Sequence, residues 1–120
     1  MSRTDEHGVA TVMMVGVLAV MMLLSGAAMI VAGYELGYRR ARAAADLAAL
    51  SAASTFAQGG DGCAQARRTA AANGAKVTNC EQIGDIVDFV FTVKVSLTAT
   101  VRVAGLPGSI RAEAHAGPVR

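Results

Sequence analysis

The chain has 120 residues, a formal net charge of +2, 53% hydrophobic residues, 4% aromatic residues and no Trp. That length bounds it to one small domain beside whatever part is unavailable for a soluble core. The charge is too small to leave the electrostatic footprint of a nucleic-acid binder.

The apolar excess comes from Ala, Val, Met and Leu and lies largely in one block. After an N-terminal tail (1–8), no charged side chain occurs from Gly8 through Tyr34, and residues 9–34 contain no Pro. As a helix, that block reaches ~39 Å, more than the ~30 Å of a bilayer's hydrocarbon core. We therefore read 9–34 as a transmembrane helix. A cleaved secretory signal is the alternative, since Ser25, Gly26, Ala27 and Ala28 resemble a small-residue cleavage site. The oily sequence continues through Met29, Ile30, Val31 and Ala32, however, which favours an uncleaved anchor. The methionines of this block read as lipid-facing packing, and Gly16, Ala19 and residues 25–28 as small residues that permit close helix contacts.

Helical character continues beyond the block. From Glu35 to Phe56 there is no Pro, a single Gly (Gly37) and many Ala, the best helix former. Leu36, Ala43, Leu47, Leu50 and Ser54 form one helical stripe, and Arg39, Arg42, Asp46 and Ala53 another. Three glycines in "AQGGDG" (57–62) end the pattern. The expectation is one long helix over 9–56, half in lipid and half in water.

"CAQARRTAAANG" fits a short second helix with Asp61 as its cap and Asn73-Gly74 as its stop. Cys63 and Cys80 flank it. A metal site is disfavoured by the lack of CxxC and by the separation of His7 from His115; a nucleophilic thiol lacks a nearby His. Two free buried thiols remain an alternative to a disulfide, which the reading favours and which adds about 3 kcal/mol for a loop of roughly 18 residues. A disulfide needs an oxidising compartment and so puts the C-terminal part outside. Arg39, Arg40 and Arg42 argue the other way through the positive-inside rule. We side with the cysteines.

In "VDFVFTVKVSLTATVRV" every odd position from 87 to 103 is apolar, while most of the intervening positions are polar, Val90 excepted. Period two with β-branched residues means a strand with one buried face. Its length, ~56 Å for seventeen residues, implies a bend or break. "AGLPGS" (104–109) is a turn, and Ile110, Ala112, Ala114 and Ala116 alternate again in a returning antiparallel strand; "AKVTNC" adds a short edge strand. The fold class is α+β: a long N-terminal transmembrane helix continuing outside the membrane, a short second helix, and a small antiparallel sheet packed on the long helix, as in a pilin. The division is 1–8 tail, 9–34 anchor and 35–120 extracytoplasmic domain.

Together "EHGVATVMMVGVLAVMMLL", "RRARAAADLAALSAA", the cysteines around "AAANGA" and "GLPGSIRAEAHAGP" resemble the TadE/TadG-like proteins, above all a short actinobacterial branch. These are pilin-like membrane proteins associated with Flp (tight adherence) pilus assembly. The resemblance implies a minor pilin or accessory protein of a pilus or related secretion apparatus, whose partners are the membrane and other pilin-like or assembly proteins. It also implies assembly through the long helix, with Asp46, Arg42, Ala45 and Ala49 as candidate helix-assembly residues. Gly8 is the candidate leader-processing site. Prepilins carry Glu five residues beyond that Gly; here Met13 stands there.

No phosphate loop, nucleophile elbow or metal cluster marks an enzyme or cofactor, and Asp46, Asp61, Asp85 and Asp88 read as caps, turns or wet-face residues. No small-molecule substrate is expected. The rival function is a secreted, disulfide-containing binding module whose apolar segment is a signal peptide.

Overall fold

The computed structural model describes residues 3–99, 105 and 108–118. The element order is α1 (Arg3–Ala57), α2 (Gly62–Ala72), β1 (Lys76–Gly84), β2 (Phe89–Thr98) and β3 (Ser109–Ala116). The chain divides into two compact units, 1–33 and 34–120, with α1 contributing to both.

The first unit is the apolar part of α1. It begins at Arg3 rather than at Val9, so the polar residues before the oily block are helical too. The helix holds an 18-residue window of mean hydropathy 2.5 and is long and apolar enough to cross a membrane. Its hydroxyls turn inward to their own backbone: Thr11 donates to the His7 carbonyl at 2.9 Å and Ser25 to that of Met21 at 2.8 Å. Such back-bonding satisfies a polar side chain where lipid offers no partner.

In the second unit, α1 ends as its glycines require. The Gly59 amide donates to the Phe56 carbonyl and the Gly60 amide to that of Thr55, both at 2.9 Å, with Gly59 at φ 88°. This is a Schellman stop, whose left-handed residue glycine adopts without steric cost. The second helix has both expected caps. The Asp61 carboxylate accepts from the Ala64 amide at 3.1 Å, and Gly74 (φ 73°) closes a second Schellman stop through Gly74→Ala71 and Ala75→Ala70 bonds.

The sheet is an antiparallel meander in the order β1-β2-β3. Lys76 pairs with Ser96 and Gly84 with Phe89 on one side of β2; Phe91 pairs with Ala116 and Thr98 with Ser109 on the other. The edge strand is longer than "AKVTNC", reaching Gly84 through a register shift between Val77 and Asn79. Conversely, β2 starts at Phe89, not at Val87. Gly84 (φ 106°) turns the chain into a tight loop, and Val87 lies in it at 82% exposure instead of on the buried face. At the other end, residues 100–103 and part of the 104–109 turn lie outside the described residues.

The inner face of β2 is large and the helix face it meets is small. Phe89, Phe91, Val93 and Val95 are buried with Ala112, Ala114 and Ala116 of β3. They share a core with Ala41, Ala44, Ala45, Ala48, Ala49 and Ala52 of α1 and with Ala66 and Ala70 of α2. Alanine brings the helix backbone close enough for the sheet's rings and branched chains to fill the space. Each fully buried Phe or Val contributes about 1.5–3 kcal/mol. At Gly62, an added Cβ would sit 2.5 Å from the Phe91 ring and 2.8 Å from the Ala52 carbonyl oxygen, so α2 begins where only hydrogen fits.

Candidate functional site

With its alanines turned inward, the 34–57 stretch of α1 presents its leucines outward. Leu36, Leu47 and Leu50 are 58%, 47% and 60% exposed, and Ala43 and Ser54 lie on the same open face. These five are the stripe expected from the sequence, and they point away from the core. A leucine stripe opposite a small-residue core face inverts the usual amphipathic helix.

Charges line the edge of that stripe. Arg39 Nε meets Glu35 Oε1 at 3.0 Å, and Arg42 Nε meets Asp46 Oδ1 at 3.8 Å, both one helical turn apart. Arg40, also exposed, has no carboxylate within ion-pair distance among the described residues. Of the four candidate assembly residues, Arg42 and Asp46 therefore lie on the surface together. Ala45 and Ala49 are fully buried under the chain's own sheet and α2, which occupy the close approach that a neighbouring backbone would need. Gly8 lies on an open helix surface, with nothing beyond the helix's own backbone within 4 Å of where a Cβ would be.

Cys63 and Cys80 are joined, with Cα atoms 5.9 Å apart. The bridge fastens the first turn of α2 to the edge strand β1, and both cysteines pack against the core. Among the described residues no group of three His, Cys, Asp or Glu side chains is placed to hold a metal ion.

Two features go beyond the sequence reading, the first because it depends on strand register and the second because it depends on how one turn closes. On the outer face of the sheet, Thr92 Oγ1 and His115 Nδ1 share a hydrogen bond at 2.9 Å, and His115 Nε2 lies 3.3 Å from Glu113 Oε1. Glu113 Oε2 in turn lies 3.8 Å from Lys94 Nζ. The row hydroxyl–imidazole–carboxylate has the connectivity of a nucleophile and its base. It stands on an open strand face, however, with the His115 and Glu113 side chains 60% and 43% exposed, so water competes for every bond. What it does there is pair β2 with β3, at about 0.2–1 kcal/mol per cross-strand pair.

The second feature is the β1–β2 loop. The Asp85 carboxylate accepts from the amides of Val87 at 2.9 Å and Asp88 at 3.0 Å, and the Asp85 amide donates to the Asp88 carbonyl at 3.0 Å. Hydrogen bonds from the Asp88 and then the Val87 backbone hold the Asp85 carboxyl below its ordinary pKa of 3.8. The loop is thus tied internally while Ile86 and Val87 face water.

Residues 8–55 match the protein family described as "Putative Flp pilus-assembly TadE/G-like". The match points to no branch within that family, and it lies within α1 without reaching α2 or the sheet. No curated protein and no solved structure gives a significant match to the chain. It is by this long helix, with its apolar first half and its alanine-faced second half, that the chain is similar to the TadE/G-like proteins of Flp pilus assembly.

Proposed function

We propose that this is a membrane-anchored minor pilin or accessory protein of a Flp pilus or a related secretion apparatus. The apolar half of α1 is its anchor, residues 35–120 lie outside the cytoplasmic membrane, and it works through contacts made by the exposed face of α1. The observation that carries this reading is the outward leucine stripe. Leu36, Leu47 and Leu50 stand in water although the same helix buries its alanines, and the stripe lies within the matched residues 8–55. Large aliphatic side chains aligned on one helix face are suited to a second helix.

The Arg42–Asp46 pair at the edge of that stripe supports a selective contact, because a charge beside an apolar seam sets partner and register more than affinity. The disulfide supports the outer location of its domain. Two of the three arginines after the apolar segment are engaged by Glu35 and Asp46, although the positive-inside rule counts the residues and not their pairing. Met13, where a prepilin would carry Glu, supports an accessory role over that of a major fibre subunit.

The test is a photo-crosslinking residue at position 47 in cells that make the protein. Adducts identified by mass spectrometry as pilin-like or pilus-assembly proteins are expected; adducts to lipid alone would overturn the assembly role. A mature protein from the medium that lacks residues 9–34 would instead establish the secreted binding module.

A further inference from the structure

The two asparagines of the chain have different followers: Cys80 comes after Asn79 and Gly74 after Asn73. An asparagine cyclises when the amide nitrogen of the next residue reaches its side-chain carbonyl carbon. A glycine leaves that nitrogen unhindered, because it carries no Cβ. Asn73 and Gly74 are both exposed, so water reaches the pair. The stop of α2 nevertheless keeps the two reacting atoms apart. Asn73 Nδ2 donates to the Thr69 carbonyl at 2.8 Å, and the Gly74 amide donates to the Ala71 carbonyl at 3.1 Å. Asn73 has ψ 15°, which turns the Gly74 nitrogen away from the Asn73 side chain, whereas the five-membered ring needs it eclipsing Cβ. Both hydrogen bonds must break before the ring can close.

We propose that Asn73–Gly74 is a site of spontaneous deamidation and that the C-terminal stop of α2 gates it. When the stop opens, the Gly74 nitrogen gives its proton to hydroxide and attacks Asn73 Cγ. The new C–N bond closes a succinimide, and the side-chain amide leaves as ammonia with a proton from water. A second water opens the ring at either carbonyl, leaving aspartate or isoaspartate; no oxidant or reductant takes part. Neither product fits the stop. A carboxylate cannot donate to the Thr69 carbonyl, and a negative charge at a helix C-terminus opposes the helix dipole. Isoaspartate also adds a methylene to the main chain, which shifts the Gly74 and Ala75 amides from the Ala71 and Ala70 carbonyls they now reach. Ala75 is buried and leads directly into β1, so the change loosens the joint between α2 and the sheet. The reaction runs one way, and it marks chains whose second helix has opened at its end.

The test ages the full-length protein, disulfide intact, in warm, mildly alkaline buffer, one sample folded in mild detergent and one in denaturant. Peptide mapping by mass spectrometry follows aspartate and isoaspartate at position 73, with Asn79 as the internal reference. In denaturant, conversion at 73 should far outpace that at 79. In the folded sample, conversion at 73 should be about ten- to thirtyfold slower, the factor for breaking one or two hydrogen bonds of ordinary net strength first. Asn73→Asp, which installs one product directly, should lower the melting temperature. No conversion at 73 in denaturant would overturn the site. Equal or faster conversion in the folded chain would overturn the gate, and an unchanged melting temperature for Asn73→Asp would overturn the loosening of the joint.

Discussion

The ring of Phe56, in the last turn of α1, stands edge-on to that of Phe91 in β2, with centroids 5.5 Å apart and planes at 65°. Phe89 completes the group, 4.8 Å from Phe56 and 5.9 Å from Phe91. These rings join the end of the helix to the middle strand of the sheet, so Phe91→Ala should destabilise the 34–120 unit by about 3–5 kcal/mol. Phe91→Asp should abolish its folding, and Thr92→Asp, on the outer face, should be mild. Limited proteolysis resolves the two; equal sensitivity would contradict the register.

The two faces of α1 make opposite demands. Ala48→Leu should overpack the core and cost about 1–3 kcal/mol, whereas Leu47→Ala should leave the melting temperature nearly unchanged and reduce partner recovery. Thermal unfolding and a membrane pull-down, run on both variants, should give crossed results.

Asp46→Asn removes an exposed pair worth about 0.3–0.5 kcal/mol. Folding should be preserved. If the carboxylate sets register, co-purifying partners are lost; full recovery of partners would reduce Asp46 to a marker of the wet side of the helix.

The fold is legible in the sequence wherever local chemistry decides the outcome. Asp61, Gly59 and Asn73-Gly74 mark helix ends through their own backbone needs, and the alternation from Phe89 onward follows from a strand's period of two. Which face of α1 is buried is a different kind of question. Leucine is the more hydrophobic residue, yet Phe89 and Phe91 fill the space that leucines would need, so alanines win the inside through shape. Val87 departs from the expected face because nothing in "GDIVD" but Gly84 and Asp85 distinguishes a turn from continued alternation. The Thr92–His115–Glu113 row needs the β2–β3 register, and that is set across a turn whose residues only partly fall in the described structure.

Thiol labelling in denaturant without reductant should find neither Cys63 nor Cys80 reactive. Replacing both by Ala should cost about 3 kcal/mol, the chain-entropy value for a loop of this size. Chemical denaturation of the 34–120 unit measures it.

Acid should loosen the hairpin tip before it touches the core. The Asp85 carboxyl has a lowered pKa in the fold, so its contribution is complete above the ordinary value of 3.8 and disappears as pH falls through the lower folded value. Amide exchange at Val87 and Asp88, corrected for intrinsic pH dependence, should speed up in that acid range and in Asp85→Ala at neutral pH. Exchange in β2 should be unaffected.

Gly62 sits directly before Cys63, and it is the residue whose missing side chain lets α2 rest on Ala52 and Phe91. The thiol at 63 is therefore delivered to Cys80 by the seating of the helix. Seating and bridging are thus tied to one another: the packing that only hydrogen at position 62 allows also sets the 5.9 Å between the Cα atoms of Cys63 and Cys80. A methyl group at position 62 would push the first turn of α2 off Phe91 and Ala52 and carry Cys63 away from its partner strand.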